Sequence, residues 1–175
     1  MSFVENTRKP VGLGGKLMVA AMNLGHQALA RWGMGFLNVG SEAEILDCGC
    51  GGGANLHALL KRCPKGTAVG LDYSTVSVAA SRKKNRAAIA AGRCRVEQGD
   101  VSALPFEDEK FDLATAFETV YFWPDLGGSF REVFRVLKPG GTFLLCNESN
   151  GDTDRDEKWA KIIGGMTIYK DIELK

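Results

Sequence analysis

A glycine-rich turn after a short apolar run is the segment best suited to hold a ligand. Residues 45–54 read Ile-Leu-Asp-Cys-Gly-Cys-Gly-Gly-Gly-Ala. Glycines let a backbone turn tightly and approach a ligand without Cβ clashes, and the N-terminus of a following helix suits a carboxylate or phosphate. Asp47, which ends the apolar run, would reach a ligand amine. The turn alone leaves the ligand class open, because Gly49-x-Gly51-x-x-Ala54 also fits a dinucleotide fingerprint.

Two further acidic residues follow later apolar runs. Asp72 comes 19 positions after Gly53, where a carboxylate can accept hydrogen bonds from both hydroxyls of an unphosphorylated ribose. Asp100 and the N–H of Val101 are candidates to bind the amino group and a ring nitrogen of adenine, and Tyr73 would pack near the sugar or base. The alternatives are that Asp72 caps a helix and that Asp100 caps its own loop.

A cluster of acidic and aromatic residues occupies positions 117–125, which read Phe-Glu-Thr-Val-Tyr-Phe-Trp-Pro-Asp. Glu118 and Tyr121 are candidates for proton transfer, and together with Trp123 they are candidates for the wall of a substrate pocket. Open α/β sheets place their sites at the carboxyl ends of strands, which supports this interpretation. The alternatives are that the aromatic rings pack on a neighbouring helix and that Glu118 pairs with Arg131 or a backbone donor.

The elements that position these residues alternate between strand and helix. Short apolar runs predict strands at 45–48, 68–72, 94–97, 111–117 and 142–146, and helices are predicted at 55–61, 74–91 and 129–137. Ser74 is the predicted N-cap of the long second helix. This alternation predicts a doubly wound α/β fold, with a mainly parallel sheet of about five strands and helices on both faces.

The predicted core, 44–147, has a flanking segment on either side within a single domain over 1–175. Apolar residues at helical spacing over 11–37 predict one or two helices, so 1–40 is an N-terminal helical segment. A further helix is predicted at 156–163, within a C-terminal part at 148–175.

Composition argues against several classes of partner. The chain has 22 Lys and Arg against 21 Asp and Glu, so no nucleic-acid or membrane partner is expected, although a near-neutral total can conceal a local patch. Five cysteines without disulfide or zinc spacing predict reduced thiols in the cytoplasm and no metal site. Residues 17–30 are too short and too polar to span a bilayer.

Five motifs in order resemble the class I methyltransferases that use S-adenosylmethionine (SAM), of the small-molecule kind. They cover about residues 44–147: Asp47–Gly53, Gly70–Ser74, Gly99–Phe106, Phe111–Leu113 and Arg135–Gly141. The resemblance implies that Asp47, Gly49 and Gly51, with Cys50 between the two glycines, hold the methionine part of SAM. It also implies Asp72 for the ribose and Asp100 with Val101 for the adenine, and it places the backbone around Phe117 beside the methionine amino group and sulfur. For the fold, the resemblance implies a Rossmann-like sheet with the strand order 3-2-1-4-5.

Methyl transfer to an unidentified small molecule, with S-adenosylhomocysteine as product, is therefore the expected activity. Holding the reactants in line provides much of the rate, and a general base is needed only if the acceptor must lose a proton. An NAD-linked oxidoreductase is the alternative, but it explains neither Asp47 nor the Leu104-Pro105-Phe106 segment.

The C-terminal part departs from the family pattern, which adds a sixth strand and an antiparallel seventh. We expect these two strands to be absent and the fifth strand to form an exposed edge, which favours homo-oligomerisation. A non-catalytic SAM-binding module is therefore a second alternative.

Overall fold

The computed structural model describes residues 4–174, apart from the side chains of Val4, Glu5 and Arg155. Residues 1–3 and 175, which belong to the predicted flanking segments, lie outside the described residues. The sheet has five parallel strands in the order β3-β2-β1-β4-β5, which confirms the predicted fold. The strands are β1 (Glu44–Cys48), β2 (Thr67–Asp72), β3 (Cys94–Gln98), β4 (Phe111–Phe117) and β5 (Leu137–Cys146).

Helices surround this sheet. They are α1 (Gly12–Gly25), α2 (Gln27–Met34), α3 (Ala54–Arg62), α4 (Thr75–Lys84), α5 (Arg86–Ala90), α6 (Leu126–Val136) and α7 (Asp154–Ile162). Short 3-10 helices occur at Val4–Thr7, Val120–Phe122 and Asp171–Glu173. Among residues 4–174, no helix combines the length and the apolar composition needed to cross a bilayer.

Two apolar cores lie on opposite faces of the sheet. Ile45 of β1 belongs to a core with residues of α2, α3 and α4, whereas the adjacent Leu46 belongs to a core with α6 and the 3-10 helix after β4. Successive side chains of a strand point to opposite faces, so both faces of β1 are covered. This explains why residues 45–48 form a continuous apolar and buried run rather than an alternating one.

The predicted helix over 74–91 is wrong in one respect, because it is broken at Asn85 into α4 and α5. The buried Asn85 amide donates hydrogen bonds to the carbonyls of Gly53 and Ser81, each at 3.1 Å. An Asn side chain that bonds to backbone competes with helical hydrogen bonding. The N-cap prediction is confirmed, since the Ser77 N–H donates to Ser74 Oγ at 3.3 Å.

The fifth strand begins earlier than predicted, at Leu137 rather than Thr142. Leu137 lies opposite Phe111 and Thr142 lies opposite Leu113, so residues 138–141 form an irregularity within the strand. Gly140 adopts a φ of 79°, which glycine tolerates best. The predicted turn is therefore present, but Leu137, which precedes it, already pairs with Phe111 of β4.

Candidate functional site

A cavity of about 1240 Å³ lies at the carboxyl ends of β1, β2 and β4. The glycine turn, Asp72, Val101 and Glu118 all contribute to its wall. Residues of α1, the loop after β5, and the segment from α7 to Met166 close the other sides. The fold therefore brings together motifs that lie as far apart in the chain as Gly49 and Glu118.

Two glycines in the turn after β1 share a backbone conformation that other residues rarely adopt, but their surroundings differ. Gly49 has a φ of 76°, and a Cβ at this position would lie 2.4 Å from Thr119 Cγ2 at the end of β4. Gly51 also has a positive φ, of 51°, yet a Cβ there would meet no atom within 4 Å. Gly49 thus allows the ends of β1 and β4 to meet, whereas Gly51 leaves open space on the cavity wall.

The first turn of α3 follows the glycine turn, and Ala54 and Asn55 line the cavity. Its N-cap, Gly53, has no side chain to accept a hydrogen bond from the helix. The first N–H groups of a helix without a side-chain cap are available to an anionic group of a ligand. The predicted helix N-terminus therefore lies at the cavity, and its binding of an anionic group remains a prediction.

Asp72 connects the ends of β1 and β2. Its Oδ2 accepts a hydrogen bond from the Gly51 N–H at 2.9 Å, and its Oδ1 accepts one from the Ser74 N–H at 2.8 Å. Burial raises the pKa of the Asp72 carboxyl, and these two N–H groups oppose the rise. The Ser77 side chain also hydrogen-bonds to this carboxylate, so of about four acceptor positions on its two oxygens one is left for a ligand hydroxyl group.

The predicted adenine residues lie on the same wall. Asp100 Oδ1 accepts hydrogen bonds from the Ser102 N–H at 2.9 Å and from Ser102 Oγ at 2.8 Å, as the loop-cap alternative predicted. Asp100 and Val101 also line the cavity, so the cap does not remove them from the site. The Tyr73 hydroxyl donates to the Arg8 carbonyl, and the Lys9 ammonium lies 5.5 Å from the centre of the Tyr73 ring.

Asp47 is the one predicted cofactor residue that does not line the cavity. It is buried beneath the glycine turn, where its Oδ1 accepts a hydrogen bond from Thr115 Oγ1 at 2.8 Å. Its Oδ2 has no hydrogen-bond partner among residues 4–174. Burial raises the pKa of the Asp47 carboxyl to about 7. Direct contact with a ligand amine remains a prediction that this placement does not support.

Glu118 stands at the end of β4 in an unusual backbone conformation, with a φ of 59°. Its Oε1 accepts hydrogen bonds from the Tyr121 hydroxyl at 3.2 Å and from the Glu148 N–H. The Ser149 N–H in turn donates to the Tyr121 hydroxyl at 2.9 Å. The predicted backbone donor is therefore present, and no ion pair joins Glu118 to Arg131 within the described part of the chain.

The electrostatics of this cluster favour proton exchange near neutral pH. Burial raises the pKa of Glu118 to about 7, although the Glu148 N–H and the Tyr121 hydroxyl oppose the rise. Non-glycine residues with a positive φ store strain and cluster at functional sites. The geometry thus presents a carboxyl that can take up or release a proton at the cavity wall.

Trp123 contributes to both the cavity and the core. Its ring stacks on Phe143 with centroids 6.3 Å apart, and it contacts the edge of Phe130 on α6 at 5.9 Å. It lines the cavity as well, together with Phe117 and Tyr121. The packing alternative is therefore correct for most of the ring, and the remaining surface forms part of the wall.

Several cavity residues were not among the predicted site residues. They come from α1, from the loop after β5 and from the C-terminal part: Met18, Met22, Glu148, Ser149, Trp159, Ile163 and Met166. The apolar spacing of α1 indicated a packed helix face but not which surface it packs on. The loop after β5 carries no motif that would have identified it.

Comparison with known proteins adds a family profile described as a methyltransferase domain, which matches residues 46–145. The chain is 40% identical over 108 residues to demethylmenaquinone methyltransferase from Roseiflexus castenholzii (strain DSM 13941 / HLO8), which covers 62% of the chain and 43% of that relative. It is 34% identical over 109 residues to cycloartenol-C-24-methyltransferase 1 from Oryza sativa subsp. japonica, which covers 62% of the chain and 31% of that relative.

A solved structure supports the same likeness. The partner of the Haloferax volcanii Trm112 methyltransferase activator in their complex superimposes with a TM-score of 0.80 at 28% identity, over 89% of this chain and 67% of that one. The chain spans less than half of either relative compared above. The family profile spans nearly all of the sheet, from β1 to β5, and includes the glycine turn, Asp72 and the Asp100–Val101 pair.

Proposed function

Since the chain belongs to the class I SAM-dependent methyltransferases, we propose that it binds SAM in the central cavity and transfers the methyl group to a small, apolar acceptor. The observation that carries this proposal is the convergence of three motifs on one cavity. The glycine turn, Asp72 and the Asp100–Val101 pair follow three different strands, and all of them line its wall.

The residues present fit this cofactor. When bound, SAM supplies a methyl group on a positively charged sulfur. The open space beside Gly51 and the uncapped start of α3 suit its amino-acid part, and the remaining acceptor position of Asp72 suits a ribose hydroxyl. Asp100 and Val101 would bind the adenine, with Tyr73 beside it.

The wall beyond Phe117 supports an apolar acceptor. Tyr121, Phe122 and Trp123 follow β4 on one side, and Met18 and Met22 of α1 also line the cavity. Apolar and aromatic walls with few polar groups are typical of small-molecule pockets. The names of the two relatives compared above indicate a quinone-type and a sterol acceptor for those proteins.

Glu118 is the proposed base if the acceptor loses a proton. Its Oε1 is held by Tyr121 and the Glu148 N–H, and Oε2 has no hydrogen-bond partner among residues 4–174. Oε2 would take the acceptor's proton as the acceptor's lone pair forms a bond to the methyl carbon. The electron pair of the breaking carbon–sulfur bond would stay on sulfur. Tyr121 would orient Glu118 rather than exchange the proton, because burial raises the pKa of its hydroxyl well above the ordinary value.

The alternatives are less well supported. An NAD-linked oxidoreductase is not favoured, because the family match covers the glycine turn and both acidic motifs. A non-catalytic binding module is not favoured either, since Glu118 and the aromatic wall adjoin the cofactor residues. The cytoplasmic location and a homo-oligomer through β5 remain predictions.

Calorimetric titration with SAM, S-adenosylhomocysteine and NADH tests the proposal. We expect both sulfur compounds to bind with micromolar dissociation constants and NADH not to bind. Transfer of a radiolabelled methyl group from SAM to a panel of alkylated phenols, quinols and sterols would then identify the acceptor. Binding of NADH alone would refute the proposal.

A further inference from the structure

The outer side of α1 carries an exposed apolar stripe. Leu13, Leu17 and Leu24 are between 67% and 79% exposed, although they belong to a well-formed helix. Positions separated by four and by seven residues lie on one side of a helix. Large side chains therefore face solvent along most of the length of α1.

The next helix repeats this feature. Trp32 and Phe36, at the end of α2 and just beyond it, are 63% and 70% exposed. Their rings pair edge to face with centroids 5.0 Å apart. We refer to the exposed side chains of Leu13, Leu17, Leu24, Trp32 and Phe36 as the apolar N-terminal surface.

Charge is distributed unevenly in the same part of the chain. Residues 8–41 contain four basic residues, Arg8, Lys9, Lys16 and Arg31, and no Asp or Glu. The total formal charge is +1, so the remainder of the chain carries +1 − 4 = −3. The near-neutral total therefore conceals a basic segment, and this segment contains the apolar N-terminal surface.

The inner side of α1 faces the site. Met18 and Met22 line the cavity, whereas Leu17 and Leu24, which neighbour them in the helix, are exposed. A single helix thus separates the cavity from the outer surface, and its side chains are apolar in both directions. A surface helix that faces only water would carry polar residues on its outer side.

We propose that the apolar N-terminal surface docks on an anionic lipid bilayer, with α1 and α2 lying in the plane of the interface. Interfacial helices combine Leu, Phe and Trp with basic residues in this way, and the basic residues are attracted to anionic headgroups. An apolar acceptor dissolved in the bilayer would then enter beside α1, a step that rests on the proposed function. Docking itself is independent of methyl transfer.

The basic residues favour an anionic bilayer, rather than a second copy of the chain, as the partner of the apolar N-terminal surface. Arg8 and Lys9 line the cavity, whereas Lys16 of α1 and Arg31 of α2 are exposed on the same helices as the apolar N-terminal surface. In a two-fold dimer through this surface, each copy would bring Lys16 and Arg31 toward the same residues of its partner. Like charges placed together across an interface oppose association. An anionic surface reverses the sign of this interaction and favours docking.

Flotation with vesicles tests the proposal on the purified chain. We expect it to float with phosphatidylcholine vesicles that contain about one third phosphatidylglycerol, and at least ten-fold less with phosphatidylcholine alone. The double variant Leu17→Asn/Leu24→Asn should lose most of the flotation. Phe134→Asn is the matched control, because Phe134 is 82% exposed but belongs to α6.

Two further measurements separate the contribution of the basic residues to docking from that of the apolar side chains. Lys16→Glu/Arg31→Glu should reduce binding to the anionic vesicles to the level seen with phosphatidylcholine. Tryptophan emission should shift to the blue on docking, and Trp32→Phe should abolish the shift while Trp123 and Trp159 remain. Circular dichroism of each variant verifies folding, which these exposed substitutions should preserve.

Three results would overturn the proposal. The first is no flotation with either vesicle, and the second is an equal loss of flotation in Phe134→Asn. The third is a dimer in light scattering that Leu17→Asn dissociates, because a second copy would then be the occupant. Binding of SAM is measured separately, so failure to dock leaves the proposed function intact.

Discussion

At the amino-terminal end of the sheet, Asp112 of β4 is paired with Lys138 at 3.0 Å and accepts a hydrogen bond from the Glu44 N–H at 2.8 Å. Partial burial alone would raise the pKa of Asp112, but these groups lower it. At the carboxyl-terminal end, burial raises the pKa values of Asp47, Asp72 and Glu118. Among residues 4–174, no Lys or Arg forms an ion pair with these three carboxyls.

The two ends thus place the same chemical group in opposite environments. A paired, partly exposed carboxylate such as Asp112 stays ionised and adds little beyond local stability. Burial without an ion-pair partner destabilises the ionised form of a carboxyl group. Groups with pKa values shifted in this way cluster at functional sites. The carboxyl-terminal end thus holds buried carboxyls whose charged forms are destabilised, which supports the proposal that it binds the ligand and exchanges a proton.

The largest effect on activity is expected from substitution of Glu118, the proposed base at the carboxyl-terminal end of the sheet. Glu118→Gln should lower the methyl-transfer rate by about 10²–10⁴-fold, because an amide cannot accept the proton, while SAM affinity stays nearly unchanged. In the unmodified chain the rate should rise with pH through about 7, since the base acts when deprotonated. The Glu118→Gln variant should lose this rise in an assay of initial rate against pH. An unchanged pH profile would remove Glu118 from the reaction.

The next effect concerns Asp72. Asp72→Ala should weaken SAM binding by about 100-fold, because the ribose hydroxyls lose a charged acceptor and Gly51 loses its hydrogen-bond partner. Calorimetric titration measures the change. Asp112→Asn is the matched control at the other end of the sheet and should bind SAM normally. Equal losses in both variants would mean that the two ends are not distinct.

The contribution of Asp47 to the free energy of unfolding should depend on pH. Its folded-state pKa of about 7 lies above the ordinary value of 3.8, so the folded protein binds the proton more tightly than the unfolded chain does. Asp47 therefore favours folding at low pH, and its contribution declines as pH rises from about 4 to 7. Asp47→Asn should raise the free energy of unfolding at pH 8 by about 1–3 kcal/mol relative to pH 5. Urea denaturation at both pH values tests this, and a difference of zero would contradict it.

The smallest effect is expected from the exposed ion pair. Lys138→Met should lower the free energy of unfolding by less than about 1 kcal/mol, because solvent and salt screen a partly exposed pair. Its effect should decrease as pH falls below the ordinary pKa of Asp112, where the carboxylate becomes protonated. Denaturation in low and high salt measures this contribution. A loss of SAM binding in this variant would contradict the separation of the two ends.

The sequence analysis was most successful where local pattern and chemistry coincide. Asp72 lies on the cavity wall because a parallel strand that is covered on both faces directs its carboxyl end to the crevice. The break at Asn85 was missed because its cause, the Gly53 carbonyl, is 32 residues away in the chain. Asp47 occupies the predicted strand end, but the glycine turn lies between it and the cavity.

Local patterns were enough to predict the alternating elements and the residues that follow each strand, because apolar periodicity, glycines and caps act over a few neighbouring positions. The strand order came from the resemblance to the family, since pairing joins strands that are distant in the chain. How Glu118 is held became visible only in the folded chain, because its partners Tyr121 and Glu148 come from two different connections. Folding also sets which face of α1 is buried. An apolar residue carries the same signal in a core and on a surface, and only packing distinguishes Met22 from Leu24.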